Sequence, residues 1–253
     1  MRVLRFWQTP PRLEPSQQPY AFGGSPEKVA RALADLTRAN QAFGGIRSQL
    51  APLRRLLDVP RGGTVRLLDV GCGGGDIPRA FVAWARRRQV PIQVVVVDKD
   101  PEAIRRASAR LRPYPEVRLV RADAFRLPFP PRSFDFVTSA MLLHYFSPED
   151  AATVLGLWAA LASRAVLVND IERHWFPCAA IKILRRFSGS SLFSEASLQT
   201  VLRGFTPEEI DGLGRRAGLI RPEVRRFFPF RLTLVALVPP LSDDGSLARG
   251  TPP

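Results

Sequence analysis

The spacing of apolar positions changes along this chain, and each change predicts a different element. From Ser25 onward, Val29, Leu33, Leu36 and Ala39 recur at helical spacing, behind a Ser25-Pro26-Glu27 start with proline at the first helical position. This stripe stops at Gly44-Gly45 or just before. A second helical stretch, IRSQLAPLRRLL, follows and is expected to break at Pro52, which has no amide hydrogen to give. The period then shortens. VRLLDV reads as a buried strand, PRAFVAWARRR as a helix, and IQVVVVD as the unbroken β-branched run of a central parallel strand. PEAIRRASARL is a helix capped by Asp100 with Pro101 at its first position, and VRLVRAD and FDFVTSA are strands. SPEDAATVLGLWAAL is a helix capped by Ser147, and RAVLVND is a fifth strand. TPEEIDGLGRRAG opens on a Thr206/Glu209 capping box and stops at Gly218. FFPFRLTLVAL is one long strand or two short ones.

Alternating strands and helices predict an α/β fold with a doubly wound, mostly parallel, seven-stranded sheet. Its binding crevice should lie beyond the carboxyl ends of the strands. Residues 1–60 read as a Pro-rich extended arm followed by a helical cap, 61–240 as the main domain, and 241–253 as a disordered tail. An insertion at about 174–205 separates the fifth strand from Thr206.

With 253 residues and 45% hydrophobic content, the chain can bury a sizeable core. The formal charge is +14, and all but three of the 37 basic residues are arginine, the lysines being Lys28, Lys99 and Lys182. Such a charge invites nucleic acid, a membrane surface or an acidic substrate. The longest basic run is only Arg86-Arg87-Arg88, which favours charge spread over solvated faces. Cys72 and Cys178 lie far apart without metal-ligand or redox spacing, as in a reducing compartment. The N-terminal stretch reaches prolines before an apolar core of signal-peptide length, and nothing approaches the roughly 18 apolar residues of a membrane span. A cytoplasmic location is expected.

The segment LLDVGCGGGDIPRA places four glycines in five positions between the first strand and a helix. A dinucleotide fingerprint fails in both registers, at Asp76 and at Pro78, and the Gly-Lys-Ser/Thr of a phosphate loop is absent. Asp76 would also repel a pyrophosphate at the helix entrance. The pattern that fits is acid-x-Gly-x-Gly-x-Gly, formed by Asp69, Gly71, Gly73 and Gly75.

In this pattern, and in the acids that follow, the chain resembles the class I S-adenosylmethionine-dependent methyltransferases over residues 66–172, and more loosely to 238. The resemblance implies a Rossmann-like fold and S-adenosylmethionine as cofactor, with no metal. It implies a loop of Asp69, Gly71, Cys72, Gly73 and Gly75 around the methionine moiety, and Asp98 accepting both ribose hydroxyls. It further implies Asp123 and Ala124 at the adenine edge and Ser139 and Ala140 beside the transferred methyl. Lys99 stands where many relatives place an apolar residue against the base. Asp98 and Asp123 could instead serve as a cap and a turn residue.

The acceptor is narrowed by missing motifs. TSAMLLHYF replaces the Asn/Asp-Pro-Pro-Tyr/Phe of amino-group and base methyltransferases, and no cysteine is placed for pyrimidine carbons. A small-molecule acceptor is therefore expected over nucleic acid, with the oligomeric state left open. His144 is the candidate general base, or else it orders the LHYF segment by hydrogen bonding. His174 is a weaker candidate, Asp170 orients a hydroxyl or anchors the lid, and Arg47 could reach the cofactor carboxylate. The insertion mixes Trp175, Phe176, Ile181, Ile183, Leu184 and Phe187 with Lys182, Arg185 and Arg186. It is either a lid over the substrate or a peripheral membrane element. Both favour a lipophilic or aromatic acceptor, with Phe227, Phe228 and Phe230 extending the wall.

ANQAFGG and VNDIERHW resemble a bacterial branch associated with type III polyketide synthases, which implies a phenolic, polyketide or quinone-like acceptor and oxygen methylation. The rival readings are an RNA methyltransferase exploiting the charge and a catalytically inactive cofactor-binding protein.

Overall fold

The computed structural model describes residues 8–15, 25–57, 63–187 and 193–238; the tail expected at 241–253 and most of the N-terminal arm lie outside these. The strands are β1 (Val65–Val70), β2 (Ile92–Asp98), β3 (Val117–Arg121), β4 (Phe134–Ala140), β5 (Ala162–Ile171), β6 (Ile220–Phe227) and β7 (Arg231–Leu237). They form one sheet in the order β3-β2-β1-β4-β5-β7-β6. Pairing is parallel from β3 to β5, and β7 runs antiparallel to both β5 and β6. Strand order reverses between β1 and β4, which places a crevice beyond their carboxyl ends. Leu67 and Leu68 are both fully buried, in the cores on opposite faces of the sheet. A strand covered on both faces reads as a continuous apolar run, hence VRLLDV.

Helices α2 (Gly45–Leu57), α3 (Asp76–Arg87) and α4 (Pro101–Leu111) cover one face, and α5 (Pro148–Leu161) and α8 (Pro207–Arg216) the other. Helix α1 (Pro26–Ala42) lies against α2 and α4, and α6 (Trp175–Leu184) with α7 (Glu195–Arg203) forms the insertion after β5. The insertion packs on its own small core of Cys178, Ile181, Leu198 and Val201. Asp100 caps α4 by accepting the amides of Glu102 and Ala103, and the Thr206/Glu209 capping box starts α8.

Two expectations fail for physical reasons. Helix α2 runs unbroken through Pro52. A helical proline strands the carbonyl four residues back, here that of Ser48, and the Thr233 hydroxyl of β7 donates to it at 3.0 Å. The last two strands also begin elsewhere than the FFPF segment suggested. Strand β6 is IRPEVRRF, and residues 228–230 turn the chain into β7. Arg221, Glu223 and Arg226 point to water on this edge strand, and Pro222 sits where the register slips between Ile220 and Glu223. Charges and a proline are how sheet edges avoid further pairing, and they mask the alternation that marks a strand.

Candidate active site

The glycine loop leaves β1 strapped to the end of β2. The amides of Gly71 and Cys72 donate to the Val97 carbonyl at 2.8 and 3.0 Å, and that of Gly73 donates to Asp98 Oδ2 at 2.9 Å. Asp98 Oδ1 accepts the Asp100 amide at 3.0 Å. Gly73 has φ +51°, and a Cβ there would lie 3.3 Å from Leu33 of α1. Gly75 has φ +75°, and its Cβ would meet Leu111 at 3.0 Å and Ala107 at 3.3 Å. The bare backbone thus admits the cap helix above and α4 behind, as well as a cleft.

Gly71, Gly73, Asp98, Lys99, Asp123 and Ala124 line that cleft together, closed over by Leu36, Leu142 and Tyr145. Burial raises the Asp98 carboxyl against the backbone bonds that lower it. Asp123 Oδ1 accepts the Phe125 amide at 2.9 Å. The cleft encloses about 60 Å³ and opens to solvent. Bare glycine backbone, one carboxylate at the end of β2 and a second after β3 fit S-adenosylmethionine as cofactor.

Ala140 also lines the cleft, whereas the other expected residues do not. Asp69 is buried, and its Oδ1 accepts the Thr138 hydroxyl at 2.8 Å. Burial pushes its carboxyl up to about 7; the Thr138 bond opposes this, and nearby Asp76 and Asp98 add to it. Ser139 donates its hydroxyl to the Val70 carbonyl at 2.8 Å, and its own carbonyl accepts Gln49 Nε2 at 2.7 Å. Cys72 is buried, with its thiol pushed far up by burial, and Gly75 serves helix packing. His144 is also buried, and Nδ1 lies 2.7 Å from Asp170 Oδ1 while Nε2 has no partner among the described residues. The Asp170 carboxyl is lowered because the neighbouring His144 and three hydrogen bonds, one from His144 and two from backbone amides, outweigh its burial. His174 caps α6, accepting the Phe176 amide at 3.2 Å, and Arg47 borders a separate groove along α2.

A second cavity of about 300 Å³ adjoins the cleft. Phe43, Phe176, Ile181, Val201 and Phe230 supply apolar walls from the C-cap of α1, the insertion and the 228–230 turn, while Phe228 is exposed. Met141 lines both spaces and sits at φ +57°. A non-glycine residue held in that region is strained, and such strain gathers at functional sites. Asp35 and Arg231 also border the cavity.

Sequence reasoning missed the polar cluster beside this cavity. Asn40 Nδ2 donates to Asp76 Oδ2 at 3.0 Å, and Arg231 Nη2 donates to Asn40 Oδ1 at 3.1 Å. A Cβ on Gly45 would lie 2.4 Å from Asn40 Oδ1, so the second glycine of ANQAFGG makes room for this amide. The string was visible as a signal, its purpose was not.

The described residues hold no cluster of three metal-binding side chains and no helix long and apolar enough to cross a membrane. Residues 67–163 match the family model for the methyltransferase domain. A demethylmenaquinone methyltransferase of Bacillus licheniformis is 32% identical over 84 residues, 33% of this chain and 34% of that protein. The match therefore spans about a third of that relative's length. An Aquifex aeolicus SAM-dependent methyltransferase superposes with TM-score 0.59 at 16% identity, over 85% of this chain and 99% of its own. Human N-acetylserotonin methyltransferase, solved with SAM, gives TM-score 0.61 at 17% identity, over 84% of this chain and 56% of its own. The matched segment is a methyltransferase domain, and the chain around it folds as these solved S-adenosylmethionine-dependent methyltransferases do.

Proposed function

We propose that the protein methylates an oxygen of a small lipophilic or aromatic acceptor, phenolic, polyketide or quinone-like. The observation that carries this reading is the apolar cavity of about 300 Å³ that shares Met141 with the cofactor cleft. Its volume falls at the lower end of small-molecule pockets, and its lining is mostly apolar. The similarity to a quinone methyltransferase supports the same acceptor class.

When bound, S-adenosylmethionine supplies an electrophilic methyl on a sulfonium. The chain contributes placement, which can lower the barrier of an in-line displacement by several kcal/mol. Asp98 would hold the ribose and Asp123 the base, beside the bare backbone of Gly71 and Gly73. Phe176, Ile181 and Phe230 hold the acceptor body and exclude water. His144, sealed behind the wall against Asp170, positions the turn at 143–145 through that bond.

Incubation with methyl-labelled cofactor and a panel of alkylphenols and hydroquinones tests the proposal. Labelled methyl ethers are expected. Cofactor binding without transfer to any panel member, or transfer to RNA instead, overturns it.

A further inference from the structure

Arg231 opens β7 and is 1% exposed. A guanidinium keeps its proton in any cellular medium, so burying one demands partners for its charge and its five N–H groups. The partners here are neutral: Nη2 donates to Asn40 Oδ1 at 3.1 Å and Nη1 to Asn169 Oδ1 at 3.3 Å. Among the described residues Nε has none, and no ion pair includes Arg231.

The acids that face it are engaged elsewhere. Asp76 at the start of α3 accepts Asn40 Nδ2, which fixes that amide with its oxygen toward the guanidinium. Asp170 in β5 accepts His144. Asp35 of α1, also on the cavity wall, pairs with Arg38. Burial lowers Arg231 to about 10 although Asp170 and Asp76 support its charge from a distance.

Position adds a second observation. Arg231 lines the apolar cavity, and Asn169 ties it to the junction with the cofactor cleft. The Asn169 side chain accepts Arg231, while its carbonyl accepts the amide of Met141 at 2.9 Å, the residue common to both spaces. A buried cation without a direct ion pair among the described residues therefore stands in the wall of the cavity, one residue from the place where the two spaces meet.

We propose that Arg231 is an oxyanion subsite: the acceptor carries an ionised oxygen, phenolate or carboxylate, that docks on this guanidinium while its apolar body fills the cavity. This rests on reading the cavity as the acceptor site. For a phenol, the proton passes to bulk water on binding. The ionised oxygen can then form its bond to the methyl carbon as the carbon–sulfur bond breaks, with no protein base required. That agrees with the placement of His144 outside both spaces.

The test needs no turnover. The probe is 2-nitro-4-pentylphenol, whose phenolate is coloured, titrated with pH free and bound to the full chain with S-adenosylhomocysteine. An apolar pocket alone raises a phenol's ionisation midpoint, whereas a cation at hydrogen-bond range lowers it by about one to three pH units. A lowered midpoint is expected, together with at least tenfold weaker binding of the methyl ether. The second arm compares 4-pentylbenzoate with its methyl ester and tells which oxyanion is preferred. R231M should abolish both preferences and R231K should partly restore them; if R231M fails to fold, the sign of the wild-type midpoint change decides. A raised midpoint with no preference for either ionised partner overturns the subsite. Methyl transfer without oxyanion preference would leave the proposed function standing, and oxyanion binding without transfer would do the reverse.

Discussion

The backbone amide of Gly73 donates to the carboxylate of Asp98 at 2.9 Å, joining the glycine loop to the acid at the end of β2. One carboxylate thus both shapes the loop and presents an acceptor to the cleft. Replacing Asp98 by alanine removes charge-assisted bonds worth about 1.5–3 kcal/mol each. S-adenosylhomocysteine affinity should fall by roughly 10- to 100-fold by calorimetry, with Asp98→Asn between. Unchanged affinity would remove Asp98 from the cofactor site.

Asp69 makes stability depend on pH. Its folded carboxyl, pushed up to about 7, lies above its unfolded value, so the native state binds more protons between about pH 4 and 7. Stability from this group is full below pH 4 and is lost as pH rises through 7. Asp69→Asn should therefore gain on the wild type as pH increases, by up to a few kcal/mol at pH 8. A melting-temperature difference that is flat with pH would contradict this.

Gly75 and Gly212 should respond to alanine with opposite signs. At Gly75 the new Cβ meets α4 in a left-handed backbone, costing about 1–3 kcal/mol. Gly212 lies inside α8 with nothing within 4 Å of a built Cβ, so alanine should add about 0.5–1 kcal/mol. Each kcal/mol corresponds to about 2–4 °C at this size, readable by thermal denaturation.

The His144–Asp170 pair is fully enclosed, so its removal should register as lost stability. His144→Ala leaves a buried carboxylate without its partner and should cost about 3–5 kcal/mol. If the variant melts like the wild type but loses all transfer, His144 has a chemical role that its burial hides.

Phe176 stacks on Phe230 with centroids 5.6 Å apart and is half-exposed, so its truncation spares the core. Phe176→Ala should raise the acceptor KM about tenfold, in line with roughly 1.5 kcal/mol of lost apolar contact, and leave cofactor affinity unchanged. An equal effect on both ligands would mean the insertion covers the cleft and the cavity alike.

Local chemistry made much of this legible from sequence. The β-branched run of β2, the Asp100 and Thr206 caps and the apolar period of β1 depend on neighbours a few residues away, and Asp98 and Asp123 follow their strands by connectivity alone. What depends on distant partners was not legible. Pro52 continues a helix because Thr233, far along the chain, donates to the carbonyl it strands. Asp69 and Ser139 face inward because β4 pairs with β1, and His144 is closed off because β5 brings Asp170 beneath it. Arg231 reads as one more arginine among many until the fold encloses it beside Asn40 and Asn169. Periodicity and caps act along the chain, whereas burial and the pairing of charge are set by what folding carries together from elsewhere in it.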